Sequence, residues 1–135
     1  MEKLKIMAED AERALKTLEK IVQMPYSVIV RDAAIQRFEY TFEILWKFLK
    51  EYLRINEGII CNSPKSCFRQ AFTVKLLTEE ETINALEMTD DRNLTSHTYH
   101  EELAEEIYKK IPDYYNNMSK LYQIIKILRR CKHRR

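Results

Sequence analysis

A single glycine, Gly58, stands in a chain of 135 residues that also holds only three prolines. Glycine supplies the positive-φ corners of tight hairpins and the close backbone approach of phosphate-binding loops. One glycine cannot do this repeatedly. Hairpin-rich β folds, Gly-rich phosphate loops, dinucleotide-binding fingerprints and nucleophile elbows are therefore excluded. Hydrophobic residues make up 45% of the chain, too many and too evenly spread for disorder. An all-α domain is what remains, and a chain of this length can bury a core.

Helical periodicity fills in the elements. A first helix is expected over 2–24, with Ile6, Ala14, Leu18, Ile21 and Val22 at helical spacing. Pro25 ends it, because the residue before a proline avoids the α region. A second helix is expected over 28–55. Its stripe is Ile35, Phe38, Phe42, Leu45, Trp46, Leu49 and Leu53, which marks it as the core helix. Glu43 and Lys47 form an i,i+4 pair, and Gly58 suits a left-handed cap. On the other faces of this helix, Gln36, Arg37, Glu39 and Glu43 read as solvated or interfacial.

Ser63 and Pro64 open a third helix as N-cap and first helical residue. It carries Cys67, Phe68, Ala71, Phe72 and Leu76. Thr78 with Glu81 forms a capping box for a fourth helix, continued by Ile83, Leu86 and Met88 toward Asp90-Asp91. A second box, Thr98 with Glu101, opens a fifth helix running to Lys132 and kinked at Pro112. Its expected buried face is Leu103, Ile107, Ile111, Tyr115, Met118, Tyr122, Ile125 and Leu128. The expected architecture is a five-helix antiparallel up-and-down bundle, one domain over 1–135.

The formal net charge of +2 hides an asymmetry. The last seven residues, Arg129 to Arg135, hold five of the 23 cations and no acid; without them 18 cations face 21 acids, a balance of −3. Such a tail can hold phosphate unspecifically, but a solvated helix end with cations suited to the macrodipole is the favoured reading. Cys61, Cys67 and Cys131 are odd in number and contain no C-x-x-C, so neither a zinc framework nor a disulfide scaffold is implied. No apolar run is long enough to span a membrane. A cytoplasmic chain with reduced thiols is expected.

The segment from Asp90 to Glu101 reads DDRNLTSHTYHE. On one continuous helix Arg92 and His97 would not share a face. The capping signal at Thr98 implies a break, with Arg92 in the last turn of the fourth helix, His97 at the junction and Tyr99 in the first turn of the fifth. A cation, an imidazole and a phenol can then converge. An imidazole near its ordinary pKa moves protons at neutral pH, and an arginine fork stabilises charge on a phosphoryl group. Asn93 and Ser96 can hold substrate oxygens or fix the tautomer. Spacing alone still favours a polar interhelical turn that satisfies helix ends. His97, His100 and Glu101 form a partial ligand set, but an exposed His100 explains their spacing better, so no metal is expected.

Three stretches resemble the nucleotidyltransferase substrate-binding protein family. These are Gln36-Arg37-Phe38-Glu39-Tyr40-Thr41-Phe42-Glu43-Ile44-Leu45-Trp46-Lys47, Ser63-Pro64-Lys65 with Phe68-Arg69-Gln70-Ala71-Phe72, and Asp91-Arg92-Asn93-Leu94-Thr95-Ser96-His97-Thr98-Tyr99. The resemblance covers about residues 28–115, in the family's order. It implies an all-α, homodimeric member of the HEPN group, paired with a minimal nucleotidyltransferase (MNT) in a toxin–antitoxin arrangement. It implies a metal-independent ribonuclease with an R-x4-6-H motif on Arg92 and His97, with Asn93 beside the arginine. In the HepT branch the motif extends to R-x4-H-x-Y, which places the tyrosine that receives AMP at Tyr99. The substrate site implied is Arg92, Ser96, His97 and Tyr99, with RNA or nucleotide as ligand and no cofactor. The family's older name implies the alternative, a non-catalytic subunit that presents nucleotide to the MNT partner. On this resemblance the junction reads as a site.

Overall fold

The computed structural model describes residues 2–133, with side chains through Arg129. Five helices make up the architecture: α1 (Glu2–Val22), α2 (Val28–Glu57), α3 (Pro64–Thr73), α4 (Glu79–Leu94) and α5 (Glu101–His133). A 3-10 turn, Thr95–His97, joins the last two. Among the described residues there is no strand, and no helix is long and apolar enough to cross a membrane. Helix α2 packs against α1, α3 and α5, and α4 is held between α3 and α5.

The caps follow chemistry visible in the sequence. Ser27 opens α2 by accepting from the Val30 amide at 3.0 Å. Ser63 accepts from Ser66, and Pro64 occupies the first turn of α3. Thr78 and Glu81 form the full reciprocal box at α4. Gly58 ends α2 at φ +66, the left-handed conformation a Cβ would disfavour. Helix α3 ends differently. Lys75 adopts φ +67 without being glycine, and the Leu76 amide donates back to the Ala71 carbonyl at 2.9 Å.

Phe38, Phe42, Leu45, Leu49 and Leu53 of α2 are fully buried, together with Phe48 and Tyr52. Trp46 is only partly buried and lies at the core's edge. Ile6, Phe72 and Ile83, expected on apolar faces, are exposed; the buried face of α1 is Leu4, Ala8, Ala11, Ala14, Leu15, Leu18 and Ile21. In α5 the buried residues are Ala104, Ile107, Ile111, Tyr114, Met118, Leu121, Tyr122 and Ile125, so Tyr114 is fully buried where Tyr115 was expected. Helix α5 runs on through Pro112 without a break.

Two further expectations are corrected. Thr98 does not cap α5. Its hydroxyl donates to the Thr95 carbonyl at 2.9 Å, and the helix begins at Glu101. Tyr99 therefore lies in the turn before α5, not in its first turn. Cys61 and Cys67, expected as reduced thiols, are joined by a disulfide with Cα atoms 5.3 Å apart. The Ser63-Pro64 turn reverses the chain and brings Cys67 of α3 back beside Cys61. Cys131 and most of the basic tail lie outside the described side chains.

Candidate functional site

The C-terminal end of α4 is tied down from two sides. Asp91 is buried, and the Tyr114 hydroxyl of α5 donates to its Oδ2 at 2.5 Å. Burial first, and the Asp91 carboxylate second, push the Tyr114 phenol far above its ordinary pKa, so it remains a donor. Lys110 Nζ reaches Asp91 at 3.3 Å. On the other side Lys65 of α3 pairs with Asp90 at 2.6 Å.

Arg92 sits in the last turn of α4, where a cation complements the macrodipole. Its side chain lies toward α2, with Nη2 3.2 Å from Glu43 Oε1. Its Nε is buried without a hydrogen-bond partner. A surface cleft of about 430 Å³ is lined by Gln36, Glu39, Tyr40, Glu43, Ile44 and Arg92.

After Arg92 the chain tightens. The Thr95 hydroxyl donates to the Arg92 carbonyl at 2.7 Å, and Thr98 repeats this on Thr95. Such local side-chain bonds compete with regular helix, and residues 95–97 wind into the 3-10 turn. His97 is exposed at its end, 6.5 Å edge-on from the Tyr99 ring. The rings of Tyr99 and His100 lie 4.3 Å apart. Tyr99 is 75% exposed, and Asn93 and Ser96 are exposed as well.

His97, Tyr99 and His100 gather on the turn, and Arg92 pairs with Glu43 of α2. Within one chain no hydrogen bond or ion pair links Arg92 to His97 among the described residues. Nor do three His, Cys, Asp or Glu side chains gather as a metal site there.

Sequence reasoning missed two residues that frame this site. Glu43, read as solvated or interfacial, is the partner of Arg92. Arg31 is 1% exposed. Its Nη1 donates to Glu101 Oε2 at 2.6 Å and to Glu105 Oε2 at 2.9 Å, and its Nη2 to Glu101 Oε1 at 3.2 Å. Tyr26 adds a hydroxyl donor to Glu105 at 2.6 Å. Arg31 draws the Glu101 carboxyl below its ordinary pKa; for Glu105 the Tyr26 hydroxyl is the larger cause and Arg31 the second. The available signal was Arg31 itself, four residues before Ile35 on the apolar stripe.

Comparison with known proteins places these features in context. A family model described as nucleotidyltransferase substrate binding protein like matches residues 7–127. A Haemophilus influenzae protein named probable ribonuclease HepT is 35% identical over 85 residues, 60% of this chain. The match spans 57% of that relative's length. A solved structure from Thermus thermophilus is 49% identical, covers 85% of this chain and 98% of its own, and superposes with a TM-score of 0.83. A tri-AMPylated Shewanella oneidensis HEPN toxin, solved in complex with an MNT antitoxin, shares the fold at 16% identity. It covers 92% of this chain and 96% of its own, with a TM-score of 0.73.

Proposed function

The chain belongs to the nucleotidyltransferase substrate-binding protein family, and we propose that it acts there as a HepT-like, metal-independent endoribonuclease restrained by an MNT-type partner. The supporting observation is the arrangement of the junction. One turn presents an exposed imidazole beside an exposed phenol, just beyond the last turn of α4 that carries Arg92.

In this reading His97 takes the proton from an RNA 2′-hydroxyl, whose oxygen attacks the adjacent phosphorus. Arg92 stabilises the charge that develops on the phosphoryl oxygens. Asn93 and Ser96 hold substrate oxygens or the imidazole tautomer. Departure of the 5′-oxygen needs a proton, and each chain offers one His97–Arg92 set. A homodimer that faces two sets toward one RNA strand supplies a second imidazole to give that proton. RNA is the ligand and the partner supplies the nucleotidyl-transfer machinery.

The exposure of Tyr99 gives the restraint its chemistry. AMP added to that phenol brings negative charge and bulk beside His97, where an RNA phosphate would sit. Incubation with the MNT partner and ATP should add AMP to the chain and stop RNA cleavage. Tyr99→Phe should remain unmodified and active. An equally modified Tyr99→Phe variant would remove Tyr99 from the account.

The second reading is a nucleotide-presenting subunit of the nucleotidyltransferase, favoured by the family description. It predicts calorimetric nucleotide binding that is lost in Arg92→Ala, with no RNA cleavage.

A further inference from the structure

Arg92 is held by a carboxylate that is itself held. Glu43 offers Oε1 to Arg92 Nη2 at 3.2 Å. Its other oxygen, Oε2, accepts from the Trp46 indole N–H at 3.2 Å and lies 3.8 Å from Lys47 Nζ. The indole packs against the core, and Lys50 lies over its ring at 5.9 Å. A rigid ring thus fixes the carboxylate, and the carboxylate fixes one corner of the guanidinium.

A free arginine side chain samples many rotamers. A phosphate clamp needs one, since small misplacements of a catalytic group are costly. The guanidinium has five N–H donors. Glu43 engages Nη2 and Nε is buried, so a ligand would reach the guanidinium through its Nη1 end. Arg92 and Glu43 side chains are 26% and 36% exposed, so solvent screens the pair and it adds little to stability. Its consequence is geometric.

We infer that Glu43, set by Trp46, is the positioning residue for Arg92. It holds the guanidinium in one orientation against α2, from which Nη1 would meet a phosphate. The inference rests on reading Arg92 as the phosphate-binding group. An opposite role, in which Glu43 competes with phosphate for Arg92, predicts tighter RNA binding when the carboxylate is removed.

Two readouts on the full chain separate these outcomes. The first is side-chain NMR of the Arg92 guanidinium, assigned by its loss in Arg92→Lys. Restricted rotation with resolved Nη signals is expected in the native chain, averaged signals in Glu43→Ala, and largely restored restriction in Glu43→Gln, whose amide oxygen still accepts. The second is RNA cleavage. Glu43→Ala should lower kcat about tenfold with a smaller change in KM, at an unchanged melting temperature, and Glu43→Gln should recover most of it. An Arg92 signal unaffected by Glu43→Ala, or RNA binding strengthened by it, overturns the positioning role. If the native chain cleaves no RNA, the ribonuclease reading falls by itself, and the NMR readout alone still decides the role of Glu43.

Discussion

Arg31 and Glu101, seventy residues apart in sequence, meet through a two-pronged contact, Nη1 to Oε2 at 2.6 Å and Nη2 to Oε1 at 3.2 Å. One prong end sits in the first turn of α2 and the other is the first residue of α5. Glu101 follows Tyr99 by two residues, so this fork anchors the turn that carries His97, Tyr99 and His100. Forked arginine–carboxylate contacts combine charge with fixed geometry.

Replacing Arg31 should therefore be costly. Arg31→Ala leaves a void in a closed region and removes several charge-assisted bonds, a loss of about 2–4 kcal/mol. Urea unfolding checks this, with circular dichroism as the probe. A change of less than about 0.5 kcal/mol, the usual range for surface substitutions, would contradict the anchoring role.

Acid should act through the same residues. Glu101 and Glu105 both lie below their ordinary 4.5 in the folded chain. A carboxylate depressed by folding contributes its stability in full above the unfolded pKa and loses it as pH falls through the folded one. Stability from this source is thus constant near neutrality and declines below about pH 4.5. In Arg31→Met the decline should be shallower, with Glu81 and Glu51, also depressed, left to contribute. Urea midpoints at neutral and acidic pH give the comparison, and parallel declines in both chains would count against the linkage.

The two threonines of the capping motifs should behave unequally. Thr78→Ala breaks a reciprocal box and should cost about 1 kcal/mol. Thr98→Ala removes only a bond to the Thr95 carbonyl and should cost less. Its effect should appear in the turn, as a shifted His97 resonance, rather than in helix content. Equal destabilisation by both would restore Thr98 as a cap.

Tyr114→Phe tests the support beneath Arg92. The change leaves Asp91 buried with Lys110 as its remaining partner, a loss of about 1–3 kcal/mol. RNA cleavage should fall together with stability, because Asp91 precedes Arg92 in the last turn of α4. Full cleavage at reduced stability would show that the end of α4 needs no such bracing.

Much of this was legible in the residues. Scarcity of glycine pointed to helices, and Ser63-Pro64, Thr78 with Glu81, and Gly58 marked three boundaries through local chemistry alone. Local chemistry also misled. Thr98 has the sequence of a cap, yet its hydroxyl donates to the Thr95 carbonyl in the 3-10 turn rather than accepting from an α5 amide. Ile6 and Ile83 fit a helical period but fall outside the buried arcs, which depend on neighbours the period does not name. Arg31 and Glu43 were missed for one reason: each is defined by a partner many residues away, Glu101 in one case and Arg92 in the other. The turn residues were readable as a cluster, whereas the pairing of Arg92 with Glu43 depended on where α2 lies.

Cleavage of RNA in EDTA by the purified native chain and by His97→Ala tests the central claim most directly. The account predicts cleavage by the native chain and its loss, by about two orders of magnitude or more, in a variant that folds equally well. Equal cleavage by the two, or none by the native chain freed of its MNT partner and of AMP, would contradict it.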